Sequence, residues 1–111
     1  MLTSGDVLDL GTPTGREAGY RHHAIVVTAQ RILDADPTVL QVVPLTSTIR
    51  RFHSEVEIEP DDTNGLAVAS AAQCQHIRSI ARERALHVRG NVGATLLAQV
   101  RETIAVILDL P

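Results

Sequence analysis

Thr46-Ser47-Thr48-Ile49-Arg50-Arg51 brings three hydroxyls and two guanidinium groups into six residues. Such groups need water, backbone partners or an anion, so the segment cannot belong to an apolar core. Arg offers a planar fork to two oxygens and Ser and Thr add short neutral hydrogen bonds, a combination that cradles phosphate. A polar hairpin turn would use the same residues, and the segment alone leaves both readings open. Val42-Val43-Pro44-Leu45 precede it, an aliphatic run that reads as buried strand. The hydroxyls therefore emerge at a strand end.

Further chemistry is scattered along the chain. Residues 11–23 hold three Gly and one Pro and end in Tyr20-Arg21-His22-His23. Loops longer than about 12 residues in compact domains are more often functional than passive. In Gln73-Cys74-Gln75-His76 the amides cannot exchange protons but can read base edges, whereas His76 can carry a proton or serve as a hydrogen-bonded strand residue. Tyr20 and Phe52, the only aromatics, fall in loops, where they can stack on bases or simply pack. The single cysteine excludes an internal disulfide and a cysteine metal cluster, and five dispersed His do not make a metal site. Cys74 lacks a base and orienting partner, so it reads as a small strand residue rather than a nucleophile.

These groups sit in a chain of 111 residues that is 44% hydrophobic, enough for one domain over residues 1–111 with a real core. Aromatics are 2%, so aliphatic side chains do the packing, and a homodimer that hides more apolar surface is expected. A net charge of −3 argues against a protein that coats nucleic acid generally, while a local basic site remains allowed. With neither a basic, apolar leader nor a membrane-length apolar run, a cytoplasmic location is expected.

Strands are predicted at 7–10, 24–28, 39–45 and 55–59, with one or two more between Leu66 and Ile77 and another at 86–89. Residues 29–35 suggest a helical turn closed by Asp36-Pro37, and 78–85 a short charged turn. Leu97, Val100, Ile104, Ile107 and Leu108 recur at helical spacing behind Gly93, giving a C-terminal helix. Short strands closed by one helix indicate a small α+β fold around a curled sheet or open barrel.

Four pieces coincide in order: Gly15-Arg16-Glu17-Ala18-Gly19-Tyr20-Arg21-His22-His23-Ala24-Ile25-Val26-Val27, Pro44-Leu45-Thr46-Ser47, Gln75-His76-Ile77-Arg78-Ser79-Ile80, and the helix with Leu96-Leu97-Ala98-Gln99-Val100. Over nearly its whole length the chain resembles the MazF/PemK family, the endoribonuclease half of bacterial toxin–antitoxin pairs. The resemblance implies an SH3-like twisted β-barrel with a C-terminal α-helix, working as a homodimer without metal or other cofactor. It implies cleavage of single-stranded RNA at a short sequence, and a cognate antitoxin whose extended acidic and apolar segment covers the RNA groove.

In such cleavage the ribose 2′-OH attacks phosphorus. One group takes its proton, another protonates the departing 5′-oxygen, and a cation stabilises the crowded phosphorane. The family motif gives this work to the Thr of Pro-Leu-Thr-Ser, here Thr46, and to an Arg before the Pro of the first loop. Counting from Gly15, His22 and His23 occupy those Arg and Pro positions, and Arg21 stands one residue earlier. The expected arrangement is Arg21 for charge and His22 for the proton; a weakened site is the alternative. Some relatives carry Arg-Cys-Asp-Gln where this chain has Gln73-Cys74-Gln75-His76, so their acid–base pair is missing here. Ser47, Thr48, Arg50, Gln73, Gln75, His76, Tyr20 and Phe52 are expected to contact RNA. Arg78 is expected to be structural, and Arg82, Arg84 and Arg89 a solvated face. The rival class is a non-catalytic, gyrase-poisoning toxin of the CcdB type, but the end Leu108-Asp109-Leu110-Pro111 lacks the aromatic tip such binding would use.

Overall fold

The computed structural model describes residues 1–10 and 23–111. Its elements are β1 (Asp6–Leu10), β2 (His23–Val26), α1 (Gln30–Leu33), β3 (Val39–Thr46), β4 (Glu55–Ile58), β5 (Ser70–Gln73), β6 (Arg78–Ala81), β7 (Ala85–Asn91) and α2 (Ala94–Ile107). The strands form an antiparallel sheet in the order β4-β5-β3-β2-β1-β7, with β6 also on β3. The class is α+β, and among the described residues the sheet is not closed.

Alternation explains why the central strands read as continuous apolar runs. Val7, Ile25 and Val43 stand in register on one face and pack with Ala72, Leu97, Val100 and Ile104, so α2 lies against that side. Leu8, Ala24, Val26 and Val42 turn to the other face and meet Leu10, Leu33, Leu40 and Ile80. Both faces are covered, which removes the polar alternation a half-exposed strand would show.

β3 carries the architecture. Its first half pairs with β6 at Val39–Val42 and its end pairs with β5 at Leu45 and Thr46. Pro44 falls in the gap between those ladders, where a missing N–H costs least. The same gap faces a 3₁₀ turn, Cys74–His76, which joins β5 to β6. Cys74 and His76 thus lie in a turn, not on the expected strand, because the neighbouring chain breaks where β3 bends. Residues 66–68 form no strand, and residues 78–85 divide into β6, a 3₁₀ turn at Arg82–Arg84 and the first residue of β7.

The helix expectation holds for Leu97, Val100 and Ile104, which are buried, but Ile107 and Leu108 are exposed on the last turn. Arg101 Nη2 donates to the carbonyls of Val27 and Thr28 at 3.1 and 3.3 Å, tying α2 to the exit of β2. At the far edge, Gly90 lets the 60–65 turn lie on β7: a Cβ there would stand 2.3 Å from the Thr63 carbonyl oxygen.

Candidate active site

Register places the chemistry. Thr46 pairs with Ala71, which pairs with Glu57, while Glu55 pairs with Gln73. Directly opposed residues share a face, as do residues two apart along a strand. Thr46, Glu55, Glu57 and Gln73 therefore project from one side of the β3–β5–β4 ladder, opposite the face packed on α2. The Thr46 Oγ1 accepts the Thr48 backbone N–H at 3.1 Å, which leaves the hydroxyl proton free to donate outward.

Arg51 has φ 57°, in the left-handed region, and this bend returns the chain toward β4. Arg50 then meets Glu55 and Arg51 meets Glu57, at 2.5 and 2.7 Å. The two pairs differ in burial. Arg51 is 78% exposed and Glu57 40%, whereas the Glu55 side chain is only 1% exposed. Glu55 Oε2 also accepts Gln75 Nε2 at 2.7 Å and Gln73 Nε2 at 3.3 Å, and the Arg50 guanidinium stacks 4.4 Å above the Phe52 ring. Burial alone would push the Glu55 carboxyl up. The Arg50, Gln75 and Gln73 hydrogen bonds, with the Arg50 charge, outweigh it and hold the group below its ordinary value. Among the described residues Glu55 Oε1 and Gln75 Oε1 are buried without a hydrogen-bond partner. Each such acceptor costs about 1–3 kcal/mol while it lacks a donor.

The profile of the family described as PemK-like, MazF-like toxin of type II toxin–antitoxin systems matches residues 5–108. The chain belongs to this toxin family. It is 38% identical to endoribonuclease MazF9 of Mycobacterium tuberculosis, over 99% of this chain and 98% of that protein. Among solved structures it is similar to a MazE–MazF complex from Deinococcus radiodurans, with 26% identity, TM-score 0.76, and 97% and 96% of the two chains covered. The M. tuberculosis toxin MazF-mt6 shares the fold at TM-score 0.77 and 20% identity, with 96% and 98% covered.

In this PemK/MazF toxin, Thr46, Gln73, Gln75, Arg50 and Phe52 are brought together, with Ser47 and Thr48 exposed beside them. Arg50 is exposed and already engaged, by the Glu55 carboxylate and the Phe52 ring. Arg51 is the looser of the two, since an exposed pair contributes little. His76 is exposed on the 3₁₀ turn. Tyr20, Arg21 and His22, with the loop expected to carry them, lie outside the described residues.

Two features escaped sequence reasoning. Glu55 reads as the solvent side of an amphipathic strand, and its only signal is the Arg pair upstream. Asp9 accepts from Arg89 Nη1 at 3.2 Å and lies 2.8 Å from His23 Nε2, so Arg89 is not simply solvated and His23 has a carboxylate partner. The Cys74 thiol is buried and pushed up to about 11, chiefly by burial, which fits the expectation of an inert cysteine. Among the described residues no group of three His, Cys, Asp or Glu could hold a metal. No helix of the described residues is long and apolar enough to cross a membrane.

Proposed function

We propose that this toxin is a metal-independent endoribonuclease that cuts single-stranded RNA to 2′,3′-cyclic phosphate and 5′-hydroxyl ends. The observation that carries the reading is the Thr46 hydroxyl, oriented by Thr48 and presented at a strand end on a polar face. It donates to a non-bridging phosphate oxygen as the 2′-oxygen attacks and the 5′-oxygen leaves. Arg21 supplies fixed positive charge, and His22 removes the 2′ proton and returns one to the 5′-oxygen. Arg51 can exchange Glu57 for phosphate at little cost. Ser47, Thr48, Arg50, Gln73, Gln75, His76, Phe52 and Tyr20 hold the strand.

The same reading includes an SH3-like barrel, a cytoplasmic homodimer, and an antitoxin whose extended segment covers this face. Solved MazE–MazF complexes of the family support the antitoxin.

The test is cleavage of single-stranded RNA in EDTA, with the product ends identified. Thr46→Ala and Arg21→Ala should each slow cutting while leaving the fold intact. A requirement for Mg²⁺, or silence of both substitutions, would overturn the mechanism. His22→Arg distinguishes the roles of the loop: it raises activity if the site is weakened, and removes the neutral-pH optimum if His22 carries the proton.

A further inference from the structure

We infer that Glu55 is a positioning residue that sets nucleotide preference, by holding the Gln73 and Gln75 amide nitrogens inward so that RNA meets acceptor oxygens. This rests on the RNA-cleaving reading above. Glutamine is ambivalent in solution, because its amide offers donors at one end and an acceptor at the other. An ionised carboxylate only accepts, so an amide can face it only through NH₂. Glu55 Oε2 takes Nε2 of both glutamines together with the Arg50 guanidinium.

Three donors converge on one oxygen and fix both amides in one sense. What remains is acceptor chemistry: among the described residues Gln75 Oε1 and Glu55 Oε1 are buried and without a donor, and Gln73 commits its Nε2 to the same carboxylate. A base that displaces whatever covers these oxygens satisfies them with ring or exocyclic N–H groups. The nucleotide lodged beside the end of β5 is thus held through its donors. Arg50 is a strut of this device, since it anchors the shared oxygen and is itself steadied on Phe52.

The experiment compares wild type, Glu55→Gln and Gln75→Leu on a randomised single-stranded RNA pool, reading both cut sites and short-oligonucleotide binding. It adds substrates whose preferred nucleotides carry a methylated ring N–H or lack the exocyclic amino group. Glu55→Gln keeps size but lets the amides rotate. The expected result is a preference relaxed by about 10-fold or more at one nucleotide position, with the others retained. Wild type, but not Glu55→Gln, should discriminate against the donor-blocked nucleotide at that position, and KM should change more than kcat. Gln75→Leu removes the Gln75 acceptor together with its one donor to Glu55 Oε2, leaves Arg50 and Gln73 on that carboxylate, and should relax the same position even if Glu55→Gln fails to fold. A wild type that cuts selectively, with an unchanged profile in both folded variants, would overturn this inference alone. A wild type that neither cuts nor binds RNA would overturn the RNA-cleaving reading and this inference with it.

Discussion

Replacing Arg50 or Arg51 by Ala removes the same chemical group from adjacent positions, and the outcomes should diverge. Breaking a fully buried ion pair from one side costs about 3–5 kcal/mol, because the remaining charge is stranded. Arg50 is 39% exposed and Glu55 keeps two amide donors, so roughly half of that, about 2 kcal/mol, is expected for Arg50→Ala. Arg51 and Glu57 are both solvated, and Arg51→Ala should stay within about 0.5 kcal/mol. At about 4 °C per kcal/mol for a chain of this length, the melting temperatures fall by about 8 °C and at most about 2 °C. Because Glu55 is held below its ordinary value, its stabilisation is complete above the unfolded carboxylate range and fades as pH falls toward the folded value. Without Arg50 the folded value rises, so the gap between wild type and Arg50→Ala should narrow between pH 7 and pH 4. Thermal melts at both pH values and equal protein concentration test this. Equal losses for the two variants, or a gap that widens in acid, would refute the assignment of Glu55 as the buried partner.

Thr46→Ala should lower RNA cleavage about 100-fold with an unchanged melting temperature, and Thr46→Ser should recover most of it; single-turnover assays decide. Gly90→Ala forces a Cβ to 2.3 Å from a backbone carbonyl and should cost about 1–3 kcal/mol in denaturant titration. Gly93→Ala meets nothing within 4 Å among the described residues and carries only the strain of φ 86° with ψ 164°, a region essentially confined to glycine, about 1–3 kcal/mol. Cys74, with its thiol near 11, should resist iodoacetamide at pH 8 in the folded protein and react fully in denaturant, as mass spectrometry would show.

What could be read from the sequence was whatever depends on local pattern. The aliphatic runs at 7–10, 24–26 and 39–45, the Leu97–Val100–Ile104 stripe and the ordered motifs around Thr46 gave the α+β class and the family. Burial, periodicity and motif order are written along one dimension. The fate of individual polar groups is not. Arg50 and Arg51 are neighbours of identical type, yet one meets a carboxylate removed from solvent and the other a carboxylate at the surface. Only the left-handed turn at Arg51 and the β4–β5 register decide that. Gln75 and His76 left the expected strand because β3 changes partners at Pro44, a long-range event with no local signature. Ile107 and Leu108 kept helical spacing but are left largely exposed at the helix end. Which chemistry the chain owns follows from its residue types; tertiary pairing decided which groups are free to use it, because a charge or amide is available only when its neighbours leave it unsatisfied.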